Sequence, residues 1–163
     1  LKNYGLYSKL RSTVDRLKAT NQKYAASTRR MEAFINNSAD AIVNVDGRGR
    51  IVMFNESATQ YFNSLKRRRS LFRSLPCKKF ASWLRDQHLK AVCGEVTTGE
   101  YELEFLPGHT VIFRVQSIPS DIYQGQDIVD IHVMHRFIDV TFHRSMEARK
   151  QEFMALMERS HDC

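Results

Sequence analysis

The run Glu100-Tyr101-Glu102-Leu103-Glu104-Phe105-Leu106-Pro107-Gly108-His109-Thr110-Val111-Ile112-Phe113-Arg114-Val115-Gln116 decides the fold class. Tyr101, Leu103 and Phe105 alternate with three glutamates, which describes a strand with one apolar and one wet face. Pro107-Gly108 turns the chain, and Val111, Phe113 and Val115 then alternate with Arg114 and Gln116 as far as Pro119. Downstream, a polar loop through Ser120, Asp121, Gln124, Gly125 and Gln126 leads to what reads as the longest strand. There Val129, Ile131, Val133, His135 and Phe137 share one face, while Asp130, His132, Met134 and Arg136 share the other. Upstream, residues 41–45 and 51–54 are β-rich and flank Asp46-Gly47-Arg48-Gly49, a hairpin signal.

Helical spacing fills the intervals. Residues 55–62 place Ala58, Tyr61 and Phe62 on one side, and residues 63–76 form a short basic stretch that Pro76 terminates. Phe80, Trp83, Leu84, Leu89 and Val92 read as one helix ending before Gly94. Residues 144–159 close the chain as a charged helix with Met146, Phe153 and Met157 on a seam. At the other end, Tyr7, Val14, Asn21 and Thr28 recur at heptad position a, and Leu10, Leu17, Tyr24 and Met31 at d. A polar Asn at position a sets register in two-stranded coiled coils, so Leu10, Val14, Leu17, Asn21 and Tyr24 are read as a dimer seam. The competing reading is an amphipathic helix packed on its own domain. The order helix, two strands, short helices, three strands, helix predicts an α+β protein with a five-stranded antiparallel sheet.

Composition narrows the function classes. With 163 residues, 42% apolar and 26% charged, the chain is neither a disordered tail nor a membrane protein. Its apolar runs, such as Ile51-Val52-Met53-Phe54, are far shorter than a membrane span. The opening Leu1-Lys2-Asn3-Tyr4 has neither an initiator Met nor a signal-like apolar stretch, so an internal segment of a longer protein is expected. Cys77, Cys93 and Cys163 lack metal or disulfide spacing, which points to a reducing, cytoplasmic setting, including the cytoplasmic part of a membrane-anchored sensor. Lys66, Arg67, Arg68, Arg69, Arg73, Lys78 and Lys79 match the whole net charge of +7, and no acid lies between Glu56 and Asp86.

Several segments together resemble the PAS sensor domain. Phe34-Ile35-Asn36-Asn37-Ser38-Ala39-Asp40-Ala41-Ile42 looks like the lead-in to that family's first strand. Val45-Asp46-x-x-Gly49-x-Ile51 followed by Asn55-x-x-Ala58 looks like its first hairpin and helix, and Ile138-Asp139-Val140-Thr141 like its final Asp-Ile-Thr handover to a signalling helix. The resemblance spans residues 31–144; it departs from the family at 63–76, where Lys66 to Arg69 are unusually basic. It implies short helices and a central helix on one face of the sheet, between long terminal helices. Its domain plan is a signalling helix over 1–33, a PAS domain over 34–141 and a linker helix over 142–163 leading to a further domain. Residues 31–41 also align without gaps on 153–163, with Ala33, Ser38 and Asp40 matching Ala155, Ser160 and Asp162. That echo predicts the threshold of a second, similar repeat; a histidine-kinase phosphoacceptor helix or the start of a diguanylate cyclase are the rivals.

The resemblance also supplies candidate sites. A ligand pocket would be lined by Phe54, Trp83, Val92, Leu103, Phe113, Val133 and His135. Haem-binding relatives carry a ligand His on the central helix, which makes His88 a candidate and inward-facing His135 a second. The simpler expectations are a solvated His88 beside Asp86 and Lys90, and a His135 hydrogen-bonded in the core. Pro76-Cys77-Lys78-Lys79-Phe80 does not match the reactive cysteine run of flavin-binding photoreceptor relatives, and Cys93 reads as a small buried filler. The basic stretch, with Leu71, Phe72 and Leu75 interleaved, raises nucleic-acid or anionic-membrane binding; the plainer reading is a solvated helix pair whose apolar residues plug the pocket. No nucleophile–base arrangement or phosphate loop is visible. The expected function is a sensory domain that detects a small ligand or relays conformational signals. The relay would run through a homodimer, formed by the N-terminal helix and the PAS sheet, and the joint Asp139-Val140-Thr141 to a C-terminal histidine kinase or cyclic-di-GMP enzyme. A ligand-free dimerisation module is the alternative.

Overall fold

The turn at Asp46 forms because its carboxylate gathers the loop behind it. Asp46 Oδ1 accepts from the Arg48 and Arg50 amides at 3.0 and 2.9 Å, and Oδ2 from Arg50 Nε at 3.0 Å. Gly49 adopts φ 81°, and a Cβ there would stand 2.3 Å from the Phe72 ring, so glycine is required on two counts. The computed structural model describes residues 2–161. They divide into two compact units, with the break between Ser38 and Ala39.

The first unit is one helix, α1 (Lys2–Asn36), uninterrupted by proline. The a and d residues named above are all exposed along it. The second unit contains β1 (Ala41–Asp46), β2 (Ile51–Phe54), α2 (Glu56–Tyr61), a 3-10 turn (Asn63–Lys66), α3 (Leu71–Ser74) and α4 (Lys78–Val92). It continues with β3 (Thr97–Leu106), β4 (His109–Pro119), β5 (Ile122–Gln124), β6 (Asp127–Asp130), β7 (His132–Asp139) and α5 (Thr141–His161). Five strands make one antiparallel sheet in the order β2-β1-β7-β4-β3, as the alternation predicts. Glu100, Glu102 and Glu104 face outward while Leu103 is buried.

Phe62, Phe80, Phe113 and Phe137 fill the interior, with ring centroids 5.1–6.5 Å apart. Such spacings add edge and face contacts to plain burial. Asn55 ties the edge hairpin to the helical side. Its Oδ1 caps α2 through the Ala58 amide at 3.0 Å and accepts the Ile42 amide at 2.9 Å, and its Nδ2 donates to the Asp40 carbonyl at 2.8 Å.

Several expectations need correction. The last strand is broken at Ile131. His132 N donates to Asp121 Oδ1 at 3.1 Å, and the Ser120 amide donates to the His132 carbonyl at 2.9 Å, so polar partners pin the chain there. Residues 127–130 turn away to pair with β5 in a separate two-stranded sheet, which exposes Val129 and Ile131. The longest strand is therefore β4. The expected polar loop at 120–126 holds β5 and a turn at Gly125. Cys93 is exposed, because it forms the C-cap of α4 beyond the last buried turn at Ala91. Leu89 is exposed too: the buried seam of α4 runs Phe80, Leu84, His88, Ala91. The sequence echo ends on Asp162 and Cys163, outside the described residues; Ser160 is still helical, whereas its counterpart Ser38 lies past the end of α1.

Replacing Asn55 by Ala removes a helix cap and strands the buried Ile42 amide. Urea denaturation should report a loss of roughly 3 kcal/mol, about 1 from the cap and the rest from the unpaired donor. A loss below 1 kcal/mol would show that water or a neighbour replaces the side chain.

Candidate functional site

Two places in the second unit concentrate buried or interlocked polar groups: the interior beneath the sheet and the joint where β7 hands over to α5.

In the interior, β7 places His135 between Val43 of β1 and Ser117 of β4, and all three are fully buried. His88, on the buried seam of α4, meets it from the other side. Ser117 Oγ lies 2.8 Å from His135 Nδ1, His135 Nε2 lies 3.2 Å from His88 Nδ1, and His88 Nε2 lies 2.9 Å from the Gly47 carbonyl. That carbonyl can only accept, so His88 carries its proton on Nε2. With neutral rings the rest follows in one direction: His135 Nε2–H donates to His88 Nδ1, and the Ser117 hydroxyl donates to His135 Nδ1. Burial, then the neighbouring His88, push the His135 pKa down to about 3. Burial also lowers that of His88, although the Gly47 carbonyl and the Asp46 charge oppose it. Both imidazoles are therefore neutral near pH 7. Every ring nitrogen of the pair has a hydrogen-bond partner, so neither offers a free lone pair to an iron or other metal. Among the described residues no group of three or more His, Cys, Asp or Glu side chains is arranged to hold a metal ion.

The residues expected to line a pocket separate into two sets. Leu103, Phe113, Val133 and His135 are all buried, and Phe113 and Phe137 of the phenylalanine cluster pack beside them. Phe54, Trp83 and Val92 are half-buried at the periphery. Val92 borders a surface cleft with Gly47 and Ile131, and Trp83 lies against Gly99, where a Cβ would approach it to 2.8 Å. Buried His88 departs from the solvated expectation. The i, i+4, i+8, i+11 spacing of residues 80, 84, 88 and 91 was the signal that could have found it.

At the joint, Asp139 Oδ1 accepts the Thr141 amide at 3.0 Å and also its hydroxyl, and Asp139 Oδ2 accepts Tyr61 Oη at 3.2 Å. The Val140 amide donates to the Ile112 carbonyl at 2.9 Å, and the Ile112 amide donates to Thr141 Oγ1 at 3.0 Å. One turn on, Arg144 donates from Nε and Nη2 to Glu100 Oε2 on β3, and Arg114 of β4 donates to Oε1. The Arg144 hydrogen bond, with partial burial opposing and Arg114 assisting, holds the Glu100 carboxyl below its usual range. Sequence reasoning placed the change from strand to helix at Asp139-Val140-Thr141 but missed Tyr61, Glu100, Ile112 and Arg144, which come from distant segments.

A family model described as the CHASE4 domain matches residues 5–156. No curated protein matches the chain. Similar solved structures include the PAS domain of Bordetella pertussis BvgS, 16% identical over 78% of this chain and 98% of that one, TM-score 0.55. A domain of a sensory box sensor histidine kinase/response regulator from Geobacter sulfurreducens is 13% identical over 69% and 94%, TM-score 0.51. The phage VqmA–DPO complex is 15% identical over 83% of this chain and 62% of that one, TM-score 0.58. At these identities the structures establish the fold.

The neutral histidine pair makes stability depend on pH. In the unfolded chain both rings protonate near pH 6.5, whereas in the folded domain they resist the proton, so the unfolded state gains protons first as pH falls. Between pH 6.5 and 5.0 His135 alone should remove roughly 2 kcal/mol of stability. Urea denaturation across that window should be visibly flatter for His135→Gln; parallel curves for variant and parent would show that the pair accepts protons in the fold.

Proposed function

The chain belongs to the CHASE4 domain family, and from that premise we propose that it is a sensory relay whose sheet holds the first turn of a signalling helix. Its fold is that of a PAS-type sensor domain. The observation that carries the relay is the double attachment of α5. Asp139, Val140 and Thr141 fasten its start to Ile112 of β4, and Arg144 fastens its first turn to Glu100 of β3. Two fixed points define a direction, so a change in twist between β3 and β4 swings the helix axis. The signal needs two arrangements of this joint that an input favours unequally.

The domain plan on this reading keeps residues 1–33 as a dimeric signalling helix, 34–141 as the sensor and 142–163 as the linker to an output domain. The family match, which runs from residue 5 to 156, supports treating both helices as working parts of the sensor. The output would be a histidine kinase or a cyclic-di-GMP enzyme; the chain itself senses and relays and does not catalyse. A small ligand is one input. The phenylalanine cluster favours a second reading, in which the core is complete without a ligand and the input is partner contact.

Asp139→Ala should speed amide exchange in the first turn of α5 by about tenfold, the equivalent of one lost cap, while leaving the β4–β7 amides protected. Unchanged exchange in that turn would end the relay reading. Dimerisation through Leu10, Val14, Leu17, Asn21 and Tyr24 is tested separately: in sedimentation the parent should run as a dimer and Leu17→Asp as a monomer. A Leu17→Asp dimer would move the contact elsewhere.

A further inference from the structure

The structure holds a cationic cleft that the relay does not use. It lies between α3 and the N-terminal half of α4 and has a volume of about 570 Å³, within the range of small-molecule sites. Arg68, Arg73, Lys78 and Arg85 line it, and no carboxylate does. Four arginines on or beside the sheet are neutralised within the fold: Arg50 by Asp46, Arg114 and Arg144 by Glu100, and Arg136 by Asp40. Among the described residues none of the four cleft cations forms an ion pair. The sequence around the cleft is poor in acids, with none between Glu56 and Asp86.

Like charges gathered in one concavity repel one another unless an anion joins them. The floor beneath them is apolar. Phe72, Pro76 and Ala81 contribute to it, and the Arg85 guanidinium is parked over the Phe72 ring at 5.0 Å, which holds that cation at the cleft wall. The α4 helix also begins here at Lys78, and its N-cap residue Cys77 makes no side-chain capping bond. First-turn amides of α4 therefore add donors of the same preference.

From the unpaired guanidinium cluster over an apolar floor, we propose that this cleft binds a small organic phosphate, with the phosphoryl oxygens on Arg68, Arg73, Lys78 and Arg85 and its organic part against Phe72. Planar guanidinium forks suit phosphate oxygens in pairs, which favours phosphate over a simple halide. The concave placement favours a compact anion over an extended nucleic-acid backbone, which would engage the neighbouring Lys66 and Arg67 equally. Phe72 packs edge-on against His88 at 5.3 Å between centroids, so the site adjoins the buried histidine pair.

Isothermal titration of this chain with phenyl phosphate, and with inorganic phosphate, in about 0.15 M NaCl tests the site. Saturable one-site binding is expected, tighter for phenyl phosphate. The Arg73→Ala/Arg85→Ala variant should weaken it by at least roughly tenfold, since each charged hydrogen bond lost costs that order. Both side chains are exposed; near-ultraviolet circular dichroism checks the fold, and Arg68→Glu serves if the double variant misfolds. Arg67→Ala, outside the lining, should leave the affinity within about twofold. The proposal is overturned by the absence of saturable binding, or by equal sensitivity to Arg67→Ala and the double variant. It is also overturned if duplex DNA or phosphatidylserine vesicles bind through Lys66 and Arg67 while phenyl phosphate does not.

Discussion

A histidine at the centre of a sheet constrains everything packed around it. His135 has Val43 on one side and Ser117 on the other, and no solvent reaches it. A buried imidazole must be neutral and must find a partner for each nitrogen. Ser117 supplies one from the adjacent strand, but the other has to come from across the core. That requirement accounts for a histidine on the buried seam of α4, and the second nitrogen of His88 in turn requires the Gly47 carbonyl. The Asp46-centred turn, the central helix and two middle strands are thereby linked by three hydrogen bonds. The aromatic cluster fills the remaining interior, so the domain gains packing on one side of the pair and polar order on the other.

The same sheet also anchors the start of α5. β1 and β7, the first and last strands of the second unit, pair in its middle, whereas β3 and β4 carry the contacts to α5. Any input that alters the pairing or twist of β4 is felt at Ile112 and therefore at Thr141. The joint is exposed and charge-rich at Glu100 and Arg144, so its attachment is of the weak, water-screened kind that rearranges readily. The interior, in contrast, resists small displacements because its rings are in mutual contact. Rigidity at the centre and adjustability at the edge are what the proposed relay would require.

Charge is also divided by position. On the sheet the arginines are matched to carboxylates, whereas on the helical side a cluster is left without counter-charge. Composition reported only the sum of these, a modest excess of basic residues. The basic stretch at 66–79 was visible in the residue order, but the pairing of Arg144 emerges only when the chain folds, because Glu100 reaches it from 44 residues away.

Sequence by itself determined the local periods. The alternation at 101–105 and 111–115, the turn chemistry at 46–49 and the helical spacing at 55–62 are written in neighbouring residues, since they depend on dihedral preference and on which face meets water. The boundary between strand and helix at Asp139-Val140-Thr141 was legible for the same reason. Tertiary structure alone decided what partners hold His88, that the chain breaks at Ile131 and that Arg144 is tied to Glu100. Each of these turns on a partner far off in the chain: Gly47 and His135 for the first, Asp121 for the second, the β3 carboxylate for the third. A period of two continues through Ile131 in the sequence, but hydrogen bonds to distant groups outweighed it. Local pattern specifies what an element can bury; only the assembled neighbours specify what it does bury.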